Sequence, residues 1–252
     1  MKKLLFVLIL ALSSSNALRA ADADDTGSVK ISAAFWSRYI WRGYDLNGRK
    51  PVLQPSVEFL SLPYGFAAEL DGSIGLDRNQ LDEADISLSY ALDIFDSTLS
   101  ATAAIWSYQY LGTPATIYLT GDTGQASSEE LLFTFTTNKI PWGYVTLEYG
   151  RGLGGVDGGN GIKGNYVSLS IGKDFDLTSS KLSSVLSAVY LDQYQVPNKI
   201  VALSLANSMT WNFERVGVSP NLNFTYLPDP EIMNGNEEKT IVCGGVSIIY
   251  RI

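Results

Sequence analysis

The chain has 252 residues and no histidine. Histidine is the general base of most serine and cysteine hydrolases and the commonest ligand of transition metals in proteins. Without it, a serine nucleophile would need a lysine or a carboxylate as its base, and no spacing in this sequence indicates such a pair. We therefore predict that the protein is not an enzyme and that it holds no metal ion and no cofactor.

Cysteine is nearly absent, and positive charge is scarce. Cys243 is the single cysteine, so no disulfide can form within the chain and a small disulfide-stapled scaffold is excluded. The 18 Lys and Arg residues are outnumbered by 26 Asp and Glu, which gives a formal net charge of -8. Nucleic acids and anionic lipid surfaces both attract basic patches. We therefore predict no nucleic-acid partner and no electrostatic docking onto anionic lipid.

Long hydrophobic runs are also missing beyond the first residues. Lys2 and Lys3 precede a short apolar run at residues 4–12, and small residues follow, with possible cleavage after Ala17, Ala20 or Ala23. A helix needs about 20 apolar residues to span a bilayer, and no run here is that long. We expect residues 1–21 to be a signal peptide and residues 22–252 to form a single domain. A core strand or helix at this position is the alternative interpretation.

What the chain does contain is a repeated alternation of apolar and polar residues, typical of half-buried strands. The last stretch shows it in two rows: Val242, Gly244, Val246, Ile248, Tyr250 and Ile252 on one face, and Lys239, Cys243, Gly245, Ser247 and Arg251 on the other. Twelve such strands are predicted, at residues 28–43, 51–60, 65–76, 82–95, 98–109, 128–137, 142–150, 164–173, 181–192, 198–211, 215–227 and 238–252.

The connections between these stretches are alternately short and long. Outer-membrane barrels have an even number of strands, short periplasmic turns, longer outward loops and an apolar outer face with aromatic girdles. The composition fits, with 46% hydrophobic residues, 17% charged residues and 14 tyrosines. We predict an all-β transmembrane antiparallel up-and-down β-barrel of about 12 strands in the bacterial outer membrane. A secreted soluble β-sandwich is the remote alternative.

The alternation also sorts side chains into two faces. On the first strand, Ile31, Phe35, Tyr39 and Trp41 are expected to face lipid. Charged residues on the opposite face are candidates for lining the lumen and setting its selectivity: Arg38, Arg42, Glu58, Glu69, Asp71, Asp85, Asp93 and Glu148. Eight-stranded barrels are filled by side chains and sixteen-stranded barrels are open. Twelve strands leave both an open pore and a filled lumen possible.

Two longer connections bear on that question. Residues 110–127 form the longest predicted loop, which could fold inward and narrow the bore. Residues 151–161 are rich in glycine, which indicates a flexible outward loop. A calcium-binding nonapeptide is the alternative, but such sites need stacked repeats and only one copy is present.

One stretch resembles the start of the TorF-like porin family of Gram-negative bacteria. Those proteins carry Ser-x-Tyr-x-x-Arg-Gly on a first strand and then Pro-x-x-Gln, and the matching residues here are Ser37, Tyr39, Arg42, Gly43, Pro51 and Gln54. The resemblance implies an outer-membrane barrel with a porin function. In this setting we expect Arg42 to reach inward and to pair with an acid on the third or fourth strand, a solvated rim arginine being the alternative.

The sequence therefore predicts a narrow passive channel for small solutes or ions, with a mild cation preference from the acidic second to fourth strands. The alternative is a barrel with a closed lumen that is structural or binds a ligand without conducting. Expected partners are outer-membrane lipid, the permeating solutes or ions, and the barrel assembly machinery, which would recognise the C-terminal strand.

Overall fold

The alternating segments form hydrogen-bonded strands in the computed structural model, which describes residues 29–95, 98–111, 127–154, 163–192, 199–229 and 238–252. The predicted signal peptide at residues 1–21 lies outside the described residues. So do residues 112–126 of the longest predicted loop and residues 155–161 of the glycine-rich segment. Within the described ranges, no helix is long and apolar enough to cross a membrane.

The strands run in chain order as follows: β1 (Val29–Trp36), β2 (Ile40–Trp41), β3 (Tyr44–Asp45), β4 (Val52–Phe59), β5 (Phe66–Gly75), β6 (Gln80–Ile94), β7 (Leu99–Tyr110), β8 (Ser127–Ile140), β9 (Gly143–Gly154), β10 (Lys163–Asp176), β11 (Lys181–Asp192), β12 (Lys199–Phe213), β13 (Val216–Tyr226) and β14 (Thr240–Arg251). A 3-10 turn at Pro63–Gly65 precedes β5. β2 and β3 pair only with each other, and the other strands form the barrel.

The barrel is closed by its first and last strands. Each barrel strand is antiparallel to its neighbours, and β1 pairs with both β4 and β14, the latter in a register from Lys30↔Arg251 to Trp36↔Gly245. Closure leaves no unpaired edge, which is the condition for a sheet to span a bilayer. The predicted fold class is confirmed, including its strand number.

Eleven of the predicted strands lie within a few residues of those in the structure, and the first does not. The sequence predicts a single strand over residues 28–43, but β1 ends at Trp36. The chain then turns away from the wall and forms the separate β2–β3 ribbon. The alternation of apolar residues continues past Trp36 because those side chains are buried inside the barrel, not because the strand continues.

Large apolar side chains cover the outside of the barrel. Ile86, Leu186 and Ile248 are each more than half exposed, and the outward row predicted for the last strand is exposed as well. A soluble monomer seldom exposes an apolar patch larger than a few hundred Å². The outer surface is thus that of a barrel in lipid. Ile31 and Phe35 lie on it as predicted, whereas the prediction for Tyr39 and Trp41 was wrong, since both are buried.

The inner face differs between the two sides of the barrel. From β8 to β14 the buried polar side chains are mostly Ser, Thr and Asn, and several bond across strands, as Thr136 does with Thr146 and Ser204 with Thr225, both at 3.0 Å. From β4 to β6 the buried polar side chains are mostly Asp and Glu. The lumen therefore has one acidic side and one nearly neutral side.

Inward-facing glycines make room for aromatic rings on neighbouring strands. Gly150 on β9 is the register partner of Tyr166 on β10, and a Cβ at Gly150 would overlap the Tyr166 ring. The same relation holds between Gly172 and Tyr144 and between Gly245 and Trp36. In each pair, the missing side chain lets the ring lie against the adjacent strand, which sets the position of Tyr166 in the site described next.

Candidate functional site

Residues 37–51, the inward loop, connect β1 to β4, and the tip of this loop lies inside the barrel. The loop leaves the wall at Ser37, whose amide donates to the Gly244 carbonyl at 2.9 Å and whose Oγ accepts from the Gly244 amide at 3.0 Å. Arg42 and Gly43 then form the two-residue turn between β2 and β3, at φ values of 48° and 89°. Hairpin turns with positive φ at both central residues favour glycine, so Gly43 is the local reason that the chain can reverse here.

The tip of the inward loop is fully surrounded by protein. Trp41 is 0% exposed and Arg42 is 1% exposed. Trp41 belongs to an apolar collar of buried residues with members from nine barrel strands or their ends: Ala34, Trp36, Tyr39, Ile40, Trp41, Leu46, Val52, Trp106, Tyr108, Leu132, Tyr166, Val189, Leu191, Ala202, Leu227, Ile241 and Cys243. The tip of the inward loop therefore narrows the lumen at this level, which is the half of the barrel nearer the long loops.

The Arg42 guanidinium is bound by groups of the barrel wall. Its Nη1 and Nη2 donate to the two carboxylate oxygens of Glu130 on β8, each at 3.0 Å. Its Cζ lies 3.3 Å from the centre of the Tyr166 ring and 4.4 Å from that of Trp41. A planar guanidinium matches a carboxylate through two parallel bonds and stacks on aromatic faces. The arrangement uses both properties at once.

The wall groups are themselves held in place. The Tyr108 hydroxyl on β7 donates to Oε2 of Glu130 at 2.6 Å, and the Tyr166 hydroxyl donates to Glu148 on β9. Glu130 is 1% exposed and Glu148 is 4% exposed. The guanidinium site is thus formed by Tyr108, Glu130, Glu148 and Tyr166, from four consecutive strands.

A second set of polar contacts holds the base of the inward loop. Arg38 donates to Asp45 at 2.6 Å and to Glu238, just before β14, at 2.8 Å. Burial lowers the pKa of the Arg38 guanidinium, but the hydrogen bonds and charges of Asp45 and Glu238 outweigh it and raise this pKa above its ordinary value. Arg78, in the turn between β5 and β6, donates to Asn47 at 2.8 Å. The loop is therefore fixed at its base as well as at its tip.

Strands β4–β6 carry six buried carboxylates. Asp82 pairs with Arg78, and the other five form the acidic wall on the inner face: Glu58, Glu69, Asp71, Glu83 and Asp85. Glu58 lies opposite Glu69, and Asp71 lies opposite Asp85, in neighbouring strands. Lys30 on β1 forms an ion pair with Glu58 at 2.5 Å. Neither carboxylate oxygen of Asp71 has a hydrogen-bond partner within the described part of the chain. The described residues include no group of three or more His, Cys, Asp or Glu able to hold a metal ion.

The structure brings most of the predicted lumen residues together, in two groups. Glu58, Glu69, Asp71 and Asp85 lie on the acidic wall, while Arg42 and Glu148 lie at the guanidinium site. Asp93 belongs to neither group: it is exposed at the end of β6 and accepts from Ser100 at 3.0 Å.

Two predictions about the arginines need correction. Arg38 and Arg42 are not on the first strand, because β1 ends before them. The acid bound to Arg42 is Glu130 on β8, the sixth barrel strand, and not an acid on the third or fourth. The predicted inward reach of Arg42 is confirmed.

Sequence reasoning also missed Glu130, Tyr108 and Tyr166. One signal was present in the sequence: Glu130 is the acid on the otherwise neutral inward row of β8, with Ser128, Leu132, Thr134 and Thr136. A second signal was the inward Gly150, whose missing side chain leaves room for a large group on a neighbouring strand. Nothing in the sequence indicated that Arg42 would pair with Glu130.

The fold is shared with solved outer-membrane porins. The structure titled "KdgM porin" matches with a TM-score of 0.56 and 9% sequence identity, covering 88% of this chain and 99% of that chain. "KdgM porin in complex with disordered oligogalacturonate" matches with a TM-score of 0.55 and 10% identity, covering 88% and 99%. A NanC porin structure matches with a TM-score of 0.51 and 8% identity, covering 89% and 100%. No family model and no curated protein matches the chain.

Proposed function

We propose that the protein is an outer-membrane porin, a narrow passive channel for small solutes or ions with a mild preference for cations. The observation that carries this proposal is the acidic wall, with Asp71 opposite Asp85 on the inner face of the barrel. Charges along a pore act on permeating ions with little screening by bulk water, so carboxylates favour cations. The function proposed involves no catalytic step.

The solute class proposed here differs from that of one structural neighbour. The KdgM porin structure was solved with oligogalacturonate, a chain of sugar acids that is negatively charged. An acidic wall repels such a chain, because like charges in a narrow lumen are poorly screened. The likeness of fold therefore supports a channel, while the inner-wall charge supports a different solute.

Planar-bilayer recording of the purified barrel tests the proposal. We expect conductance steps, and under a salt gradient we expect a reversal potential on the cation-selective side. The double variant Asp71→Lys/Asp85→Lys should move that potential toward anions. Asp93→Lys is the matched control, because Asp93 is exposed and lies outside the acidic wall. A complete lack of conductance in every variant would contradict the channel, and an unmoved reversal potential would contradict the role of the acidic wall.

A barrel with a closed lumen, structural or ligand-binding, is the second candidate. The burial of Trp41 and Arg42 favours it, since both side chains lie inside the barrel and narrow the lumen there. The two candidates differ in one measurement. A channel conducts with its inward loop intact, whereas a closed barrel conducts only after this loop has been shortened.

We also propose that the chain belongs to the TorF-like porin family. Five of the six matching residues, Ser37, Tyr39, Arg42, Gly43 and Pro51, lie in the inward loop, and Gln54 follows on β4. The motif therefore covers the loop and the start of the next barrel strand.

The exposed row of β14, with Val246, Ile248 and Tyr250, supports the proposal that the barrel assembly machinery recognises that strand. Replacing Ile248 and Tyr250 with Ser should lower the amount of heat-modifiable barrel in outer-membrane fractions.

A further inference from the structure

The four wall groups around Arg42 form a receptor for a guanidinium group that is independent of the inward loop. Glu130 supplies both oxygens, Tyr166 supplies a ring face, Tyr108 fixes the Glu130 carboxylate, and Glu148 fixes the Tyr166 hydroxyl. All four belong to the barrel strands β7–β10. The inward loop contributes the occupant and the Trp41 ring. The receptor thus belongs to the wall, and the bound group belongs to a tethered segment.

We propose that this receptor is a binding site for solutes that carry a guanidinium group, and that Arg42 occupies it as a ligand attached to the chain. The proposal deepens the proposed channel function, on which the access of such solutes to the lumen rests. A solute with this group competes with Arg42 for Glu130 and Tyr166, and displacement of Arg42 releases the tip of the inward loop.

The chemistry of the site favours a guanidinium over other cations. Two carboxylate oxygens at equal distances match two parallel N–H groups in one plane, and a ring face at 3.3 Å matches a flat cation. An ammonium is a compact and strongly hydrated charge, which loses more hydration free energy than a guanidinium on transfer into a buried aromatic site. A metal ion needs more oxygen ligands, and the described residues place no group of three suitable ligands together.

The acidic wall lies next to the guanidinium receptor on the inner face of the barrel. Asp85 is the register partner of Tyr108, and Asp71 is the register partner of Asp85, so the three residues lie side by side on neighbouring strands. Asp71 is 6% exposed, and its carboxylate accepts no hydrogen bond within the described ranges. The Trp106 and Tyr108 rings, on the strand next to that of Asp85, stack on each other at 6.0 Å between centres. Groups that bind a flat cation, first carboxylates and then ring faces, thus lie side by side on the inner wall up to the receptor.

Attachment to the chain sets how strongly Arg42 competes. A tethered group reaches its site at a high effective concentration, and the apolar collar adds contacts that a free solute lacks. A free guanidinium should therefore bind weakly to the unmodified barrel. Removing the Arg42 side chain empties the receptor and leaves its wall groups in place, which makes the site accessible to the same chemistry in solution.

The test uses Arg42→Ala in planar bilayers, with guanidinium chloride as the probe and methylammonium chloride at equal ionic strength as the reference. We expect guanidinium to reduce the current at roughly tenfold lower concentration than methylammonium, since one bidentate charge-assisted contact is worth about that factor. In Arg42→Ala/Glu130→Gln the difference should disappear. Equal effects of the two cations on Arg42→Ala would overturn the proposal.

A second measurement separates this proposal from the channel proposal. The temperature at which the barrel loses its folded gel mobility should rise with millimolar guanidinium in Arg42→Ala and stay constant in Arg42→Ala/Glu130→Gln. This readout needs no current, so a barrel that does not conduct but is stabilised refutes only the channel. A conducting barrel without stabilisation or block refutes only the guanidinium site. Arg42→Gln replaces Arg42→Ala if the alanine variant does not assemble.

Discussion

Arg42 and Glu130, which are 88 residues apart in the chain, meet inside the barrel through two hydrogen bonds of 3.0 Å each. One comes from the tip of the inward loop and the other from β8 on the barrel wall. Both side chains are at least 99% buried. This pair joins the inward loop to the barrel wall. We therefore expect this pair to affect both stability and conductance.

The first prediction concerns the two partners separately and together. Glu130→Gln and Arg42→Gln should each lower the free energy of unfolding by about 3–5 kcal/mol, because each leaves an uncompensated buried charge. The double variant should cost clearly less than the sum of the two, since it removes both charges. Urea unfolding in lipid vesicles measures all four proteins of the cycle. Simple additivity would show that the two side chains are not coupled.

Gly150 is expected to tolerate no side chain. Gly150→Ala places a Cβ against the Tyr166 ring and near Glu130 Oε1, so the ring must move and the guanidinium loses its stacking partner. We expect lower thermal stability and a noisier, larger conductance. Gly244→Ala is the control, because the nearest atom to its added Cβ is 3.7 Å away. Similar effects of both substitutions would mean that the ring position does not matter.

The inward loop should limit the conductance. Replacing residues 38–47 with a short Gly-Ser linker removes Trp41 and Arg42 from the lumen, and the single-channel conductance should rise several-fold because the narrowed level widens. Lys50→Ala is the matched control in the same loop, since Lys50 is exposed. An unchanged conductance in the shortened variant would place the constriction elsewhere.

The protein should be less stable with a charged Asp71 than with a neutral residue at this position. Asp71→Asn removes one charge of the Asp71–Asp85 pair while keeping nearly the same shape, and it should raise the free energy of unfolding by about 1–3 kcal/mol. Asp93→Asn, on the same sheet but exposed, should change stability little. The two variants are compared by urea unfolding. A destabilised Asp71→Asn would indicate that a bound cation normally neutralises the pair.

Neighbouring residues of β13 provide a test of the two faces. Leu222 is 43% exposed on the outside, and Asn221 bonds to Ser247 on the inside at 2.9 Å. Leu222→Arg should lower the free energy of unfolding by about 2–4 kcal/mol, because an arginine near the middle of the bilayer is poorly solvated. Asn221→Arg should cost less, since its charge enters the lumen. Folding yields into vesicles and unfolding midpoints compare them, and equal costs would contradict the assignment of the faces.

The strands could be predicted from the sequence because each one carries its own pattern. The row Val242 to Tyr250 is apolar at every second residue, and it needs no knowledge of its neighbours to be identified as an outward face. The closure of β1 on β14 follows from an even number of antiparallel strands. The acidic wall could be predicted for the same reason, since alternation places Glu69 and Asp71 on the inner face.

The inward loop could not be predicted in this way. Tyr39 and Trp41 continue the alternation of β1, and a buried lumen and a lipid face both favour apolar side chains. The bend at residues 37–38 and the two positive φ angles at Arg42 and Gly43 distinguish the loop from a strand, and of these features only the glycine is visible in the sequence. The choice of Glu130 as the partner of Arg42 depends on how the barrel closes, which no local pattern contains.

The inward loop also constrains the order in which the barrel can be assembled. Its tip binds Glu130 and Tyr166, on strands that follow much later in the chain, while Ser37 at its start bonds to Gly244 on the last strand. Because these partners lie on β8, β10 and β14, the contacts of the loop can form only once those strands are in place. The first connection of the described barrel is thus among the last to reach its place, and its position depends on the strand that closes the wall.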